Sequence, residues 1–184
     1  MNLYVIRHGE TNMGKNKIIA TENEPLNDNG IQQAISIGKE LNELDINIIY
    51  CSPIERAKHT LKLLNLDNNI PVVIEDRLKE RIMGIYEKVP FDDLDWKKFW
   101  SYNSDLEYSE LESMKSVYKR ISNFLDELKL QEYNKNILLV AHGGVLRAIH
   151  WYFNGIDNSI YTCENCKIYK YIFWILSEVN KRWK

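Results

Sequence analysis

Short apolar runs rich in β-branched residues alternate along this chain with stretches of helical periodicity, and that alternation restricts the fold more than any other feature of the sequence. Residues 3–7 (LYVIR), 46–51 (INIIYC) and 137–141 (ILLVA) read as buried strands, with Val72–Ile74 a weaker one after Pro71. Residues 27–44 place Ile31, Ala34, Ile35, Gly38, Leu41 and Leu44 at helical spacing, with Asn27 or Asp28 in position to cap the start. Ser52-Pro53 reads as the opening of a second helix over 55–66, the serine as its cap and the proline in its first position. Residues 112–130 resume the helical period through Val117, Ile121, Phe124, Leu125 and Leu128, and a further helix begins near Val145. The order predicts an α/β fold, a three-layer sandwich with a largely parallel central sheet and helices on both faces, in one domain over residues 1–184.

Composition narrows the class. With 45% hydrophobic and 27% charged residues in 184, the chain has enough apolar surface to bury one sizeable core. Its formal net charge of −2 supplies no field for general nucleic-acid or anionic-membrane binding, so any phosphate preference must be local. The apolar stretch 168–176 is short and carries Lys170, which excludes a membrane-spanning helix and predicts a buried strand. Three cysteines do not make a disulfide scaffold, and no signal-peptide apolar core follows Met1, so the cytoplasm is the expected compartment. Periodicity dissolves in residues 85–109 among Tyr86, Phe91, Trp96, Phe99, Trp100, Tyr102 and Tyr108, which reads as a lid or insertion at about 85–112.

Two histidines share one local context. Arg7-His8-Gly9 follows the first strand and His142-Gly143-Gly144 follows the strand over 137–141. In an open α/β sheet ligands bind beyond the carboxyl ends of the strands, so both imidazoles point to one crevice, where glycines such as Gly143 let the backbone approach a ligand. A third strand end, Cys51-Ser52-Pro53, leads to Arg56. Guanidinium forks pair with phosphoryl oxygens and an imidazole serves as nucleophile or donor, so these residues describe a phosphate pocket.

Arg7-His8-Gly9-Glu10-Thr11, Ser52-Pro53 with Arg56-Ala57 and Thr60, Glu80 before Gly84, and His142-Gly143-Gly144 with Leu146-Arg147-Ala148 together resemble the histidine phosphatase superfamily, also called phosphoglycerate mutase-like. Glu112-Ser113 with Arg120 resembles that family's Gly-Glu-Ser stretch, with Leu111 in place of the glycine. The resemblance implies that His8 is phosphorylated, that Arg7, Arg56 and His142 hold the phosphoryl oxygens, and that Glu80 is the proton donor. It differs at Gly14, where many relatives carry asparagine, and at Ile19-Ala20, where they carry Gln-Gly or Thr-Gly. Phosphate anchoring is thus expected to be kept while recognition of the remaining substrate changes. His142-Gly143-Gly144 resembles the phosphatase branch more than the mutases, which favours hydrolysis over transfer.

The chemistry supports the same assignment. Fixed cations must neutralise a phosphate monoester before a nucleophile approaches in line, which suits Arg7 and Arg56. Neutral imidazole is nucleophilic near neutral pH when its other nitrogen donates to a fixed acceptor, which suits His8. One carboxyl then protonates the leaving oxygen and activates water; Glu80 is the choice, with Glu87 and Glu10 as competitors. His59 and His150 lie on expected helices without partner motifs and stay outside the site. Cys163 and Cys166 have the spacing of a zinc or redox pair, but no second pair exists and a structural role is favoured. The expected function is therefore a phosphomonoesterase of a small phosphorylated metabolite needing no metal or cofactor, and the family resemblance is compatible with a sugar phosphate, phosphoglycerate or ribazole phosphate. A phosphoglycerate mutase and a non-catalytic phospho-ligand-binding module are the alternatives, and a homodimer is compatible with the sequence.

Overall fold

A computed structural model describes residues 1–104, 110–157 and 161–173. Among these residues a sheet of order β3-β2-β4-β1-β5 forms from β1 (Asn2–Arg7), β2 (Ile48–Cys51), β3 (Val72–Ile74), β4 (Asn136–Ala141) and β5 (Tyr169–Ile172). β1, β2, β3 and β4 run parallel and β5 is antiparallel to β1, so the sheet is largely parallel as expected.

The helices are α1 (Asn12–Lys15), α2 (Asp28–Leu41), α3 (Glu55–Leu63), α4 (Trp96–Phe99), α5 (Met114–Gln131) and α6 (Gly143–Asn154). Strand side chains alternate between two cores because a strand repeats every two residues. Leu3, Val5, Ile137 and Leu139 pack with α5 and α6, among them Ile121, Phe124 and Trp151. Tyr4, Ile6, Leu138 and Val140 pack on the other face with Leu41 of α2 and Ala57 of α3. Central strands buried on both sides need no polar face, which is why their sequences read as unbroken apolar runs. None of the described helices is long and apolar enough to cross a membrane.

Three expectations are corrected. The stretch 168–176 is not a buried strand: β5 is an edge strand whose Lys170 and Ile172 are exposed, while residues 174–176 lie outside the described ones. Ser52 does not cap α3. Ile54 occupies the cap position without a side-chain bond, and Ser52 Oγ instead accepts the Ile54 N–H at 3.2 Å within the strand-to-helix turn. Helices α2 and α3 also stop three residues earlier than their apolar periodicity, since Leu44 and Leu66 pack on the core from the connecting loops. Asn27, by contrast, caps α2 by accepting from the Gly30 N–H.

Residues 84–100 fold as two 3₁₀ turns, Gly84–Tyr86 and Phe91–Asp93, followed by α4. Their aromatic side chains form a satellite cluster in which buried Ile19, Met83 and Phe99 pack with Tyr86, Phe91, Trp96 and Trp100. An antiparallel bridge between Ile18 and Pro90 joins this segment to the loop after α1. Tyr108 falls outside the described residues.

Candidate active site

The parallel register Arg7↔Ala141 brings the ends of β1 and β4 level, so the residues that follow leave the sheet side by side. The His8 N–H donates to the Ala141 carbonyl at 3.0 Å, and the His8 and His142 rings stand 5.1 Å apart, centroid to centroid. The end of β2 lies on the other side of β4, and the turn through Ser52 carries α3 and its Arg56 into the same space. A close approach completes the frame: a Cβ on Gly9 would stand 2.4 Å from the Gly30 carbonyl oxygen of α2, which only glycine allows.

His8 is buried and both of its ring nitrogens are engaged. Arg56 Nε donates to His8 Nε2 at 3.1 Å. A guanidinium only donates, so Nε2 is the accepting nitrogen and Nδ1 carries the hydrogen, which it gives to the Gly9 carbonyl at 2.8 Å. Burial and then the charges of Arg56 and Arg7 hold the His8 pKa well below the ordinary imidazole value. His142 is wholly buried and its pKa is likewise lowered, first by burial, then by His8 and the arginines. Its Nε2 is 2.8 Å from Ser52 Oγ, while Nδ1 has no partner among the described residues.

The cations are set by the backbone. Arg56 gives its Nη1 hydrogens to the carbonyls of Thr21 and Glu22, each at 2.9 Å, and burial lowers its pKa. Arg7 Nη1 donates to the Cys163 carbonyl at 3.2 Å, and its buried Nε has no partner among the described residues. Both arginines, His8, Glu80 and Gly143 line a cavity of about 290 Å³. His142, beside His8, is not part of that lining.

Of the three acids considered from the sequence, Glu80 occupies the most telling position. Its Oε1 accepts from the Gly144 N–H at the start of α6 at 3.0 Å and from the Arg81 N–H at 2.8 Å. A Cβ on Gly144 would lie 2.6 Å from that oxygen, so glycine is required for the carboxylate to reach the helix terminus. Glu10 also lines the cavity, but Asn27 and Asn29 both donate to its Oε1 at 3.0 Å and keep its pKa low. Glu87 is exposed and outside the lining.

Sequence reasoning missed several contributors. Asn165 Nδ2 donates to the His8 carbonyl at 2.6 Å, and Arg147, given no role from the sequence, lines the cavity; Trp100, expected in the lid, lines it too. Gly14, Ile19 and Ala20, the departures from the family pattern, lie in the wall as well. Cys163 is in the lining while Cys166 is buried; burial raises both thiols, Cys166 to about 12, so neither presents a thiolate. Among the described residues no group of three or more His, Cys, Asp or Glu side chains is placed to hold a metal ion. His59 and His150 are outside the lining, as expected.

The chain is 31% identical over 172 residues to a probable phosphatase of Schizosaccharomyces pombe, covering 91% of this chain and 79% of that one. It is 31% identical over 153 residues to the adenosylcobalamin/alpha-ribazole phosphatase of Escherichia coli, covering 79% and 75%. The crystal structure of a phosphoserine phosphatase mutant from Entamoeba histolytica in complex with phosphoserine matches with a TM-score of 0.80 at 28% identity, over 94% of this chain and 91% of that one. The family model of the histidine phosphatase superfamily (branch 1) matches residues 3–176, and the chain belongs to that family.

Proposed function

We propose that this phosphomonoesterase works through a phosphohistidine on His8, with Arg7 and Arg56 holding the phosphoryl group from the cavity wall, buried His142 offering its unpartnered Nδ1 to the same group, and Glu80 moving the proton. The observation that carries the reading is the pair of contacts on the imidazole: Nδ1–H fixed on the Gly9 carbonyl, and the Nε2 lone pair turned toward Arg56 at the cavity wall. A neutral ring whose Nε2 lone pair is bound only by a hydrogen bond from Arg56, which substrate can draw away, is the state that attacks a phosphate ester.

In the first step the Arg56 and Arg7 guanidiniums take the phosphoryl oxygens, and Nε2 forms a bond to phosphorus as the ester P–O bond breaks. The departing alkoxide takes a proton from Glu80. In the second step the Glu80 carboxylate takes a proton from water, whose oxygen bonds to phosphorus as the P–N bond breaks, giving inorganic phosphate and neutral His8. Both steps balance without a metal or cofactor. Gly143 permits close approach of substrate between Arg7 and Glu80, whose atoms lie 3.9 and 3.8 Å from where its Cβ would be.

The substrate is a small phosphorylated metabolite, consistent with the cavity volume of about 290 Å³ and with relatives named for phosphoserine and alpha-ribazole phosphate. The described part of the expected lid, residues 85–104 and 110–112, supports a lid over the leaving group, since Phe91, Trp96 and Trp100 reach the cavity from it. The free thiols Cys51, Cys163 and Cys166 suit a reducing compartment, the cytoplasm.

The test is release of inorganic phosphate from p-nitrophenyl phosphate, with and without EDTA, followed by a panel of phosphorylated metabolites. Phosphate release that survives chelation and is competitively inhibited by vanadate is expected. Tight binding of phosphate esters without turnover of any of them would instead favour the binding-module alternative.

A further inference from the structure

Thr60 is wholly buried on α3, one helical turn after Arg56, and its hydroxyl serves two backbone groups. It donates to the Arg56 carbonyl at 2.7 Å, a bond that mid-helix threonines commonly make to the residue four positions back. The oxygen also accepts the Gly9 N–H at 3.0 Å, from the turn after β1. Gly9 is the residue whose carbonyl receives the His8 Nδ1–H, and Arg56 is the residue whose Nε meets His8 Nε2. These contacts close a circuit that begins on one imidazole nitrogen, runs through Gly9, Thr60 and Arg56, and returns to the other.

The peptide groups on either side of Gly9 are held from both ends. Asn165 takes the His8 carbonyl and Thr60 the Gly9 N–H; His8 takes the Gly9 carbonyl and Gln33 Oε1 the Glu10 N–H at 2.9 Å. Without the Thr60 hydroxyl the Gly9 N–H would be left unpaired in a buried site. Rotation about the Gly9 torsions relieves that, but it also turns the carbonyl that orients His8, and the Gly30 backbone blocks retreat toward α2.

We propose that Thr60 is a positioning residue for His8, its hydroxyl fixing the Gly9 turn against the first turn of α3 so that both imidazole nitrogens are aimed together. This rests on the reading of His8 as nucleophile and adds a residue that never meets the substrate. The test compares Thr60→Val, which removes the hydroxyl at nearly constant volume, with Thr60→Ser, which keeps it. Misaiming a reacting group by a fraction of an ångström lowers the rate steeply, so kcat of the valine variant should fall by roughly 10- to 100-fold while serine restores it.

Nitrogen-15 NMR of the labelled imidazoles supplies a readout that a purely structural role would leave unmoved. His8 should report a hydrogen on Nδ1 in the wild type and the serine variant, and mixed tautomers in the valine variant. A valine variant that keeps both kcat and the single tautomer would overturn the proposal, as would a serine variant that fails like valine. If the valine variant does not fold, Thr60→Cys, with a thiol that accepts poorly, gives the same comparison. The tautomer is read without turnover, so failure here with the His8 phosphoenzyme intact sinks this inference alone, whereas loss of the phosphoenzyme assignment sinks the underlying reading.

Discussion

Arg56 Nε donates to His8 Nε2 across 3.1 Å, joining a residue on a helix after β2 to one at the end of β1. The contact determines which imidazole nitrogen bears a lone pair, and it places a positive charge where the phosphoryl oxygens would lie. On the proposed mechanism, one side chain thus sets the nucleophile's tautomer before substrate arrives and would be released to neutralise charge once it does.

The same environment makes stability depend on pH. His8 and His142 have folded-state pKa values well below the ordinary imidazole value, chiefly through burial, so below about pH 6.5 the unfolded chain binds protons that the native one does not. Their contribution is therefore complete above that pH and is lost as pH falls, at up to roughly 1.4 kcal/mol per pH unit for each histidine. Urea unfolding between about pH 7 and pH 5.5 should show this slope, and His142→Asn should flatten it. An unchanged slope in that variant would contradict the burial argument.

Glu80→Gln separates proton transfer from pocket integrity. The amide oxygen can still accept from Gly144 and Arg81, so the loop should hold its place. In kcat/KM, which reports the phosphorylation step alone, alkyl phosphates, whose alkoxides leave poorly, should lose on the order of 100-fold or more, and p-nitrophenyl phosphate much less. Phosphoenzyme should accumulate, since the base for water is missing. Equal losses on both substrates would mean damage to the pocket, and no loss would pass the role to Glu10 or Glu87.

Trp100 tests the proposed wall around the leaving group. Its ring lies 5.3 Å from the Arg147 guanidinium and 5.4 Å from that of Arg81, at the border of the aromatic cluster. Trp100→Ala should change the ranking of kcat/KM across phosphate esters by about tenfold or more, the scale of losing part of an apolar pocket. Vanadate inhibition should stay near the wild-type value, because the phosphate clamp is not touched. A uniform loss over all esters, with weaker vanadate binding, would refute the division between clamp and wall.

Much of this arrangement is legible in the sequence because strand ends carry it. LYVIR and ILLVA are buried on both faces, so their apolar runs announce strands, and the polar residues that stop them, His8 and His142, meet through parallel pairing. The residues that orient the site are not legible in that way. Thr60 and Asn165 act on the turn around Gly9 from 51 and 157 positions away, distances at which periodicity carries no information. Ser52 looks like a helix cap because serine before proline usually is one, yet here its oxygen also meets His142. The strand at 169–172 departs from the sequence expectation for a related reason: an apolar run shows that a segment pairs, not whether it lies at the centre or the edge of the sheet.

The central claim, that His8 carries the phosphoryl group, is tested most directly by quenching the enzyme during turnover of a slowly hydrolysed ester and mapping the bound phosphate by mass spectrometry under alkaline conditions. An acid-labile, base-stable phosphohistidine at His8, absent from a folded His8→Ala variant, is the predicted result. Phosphate trapped at any other residue, or trapped undiminished in His8→Ala, would contradict it.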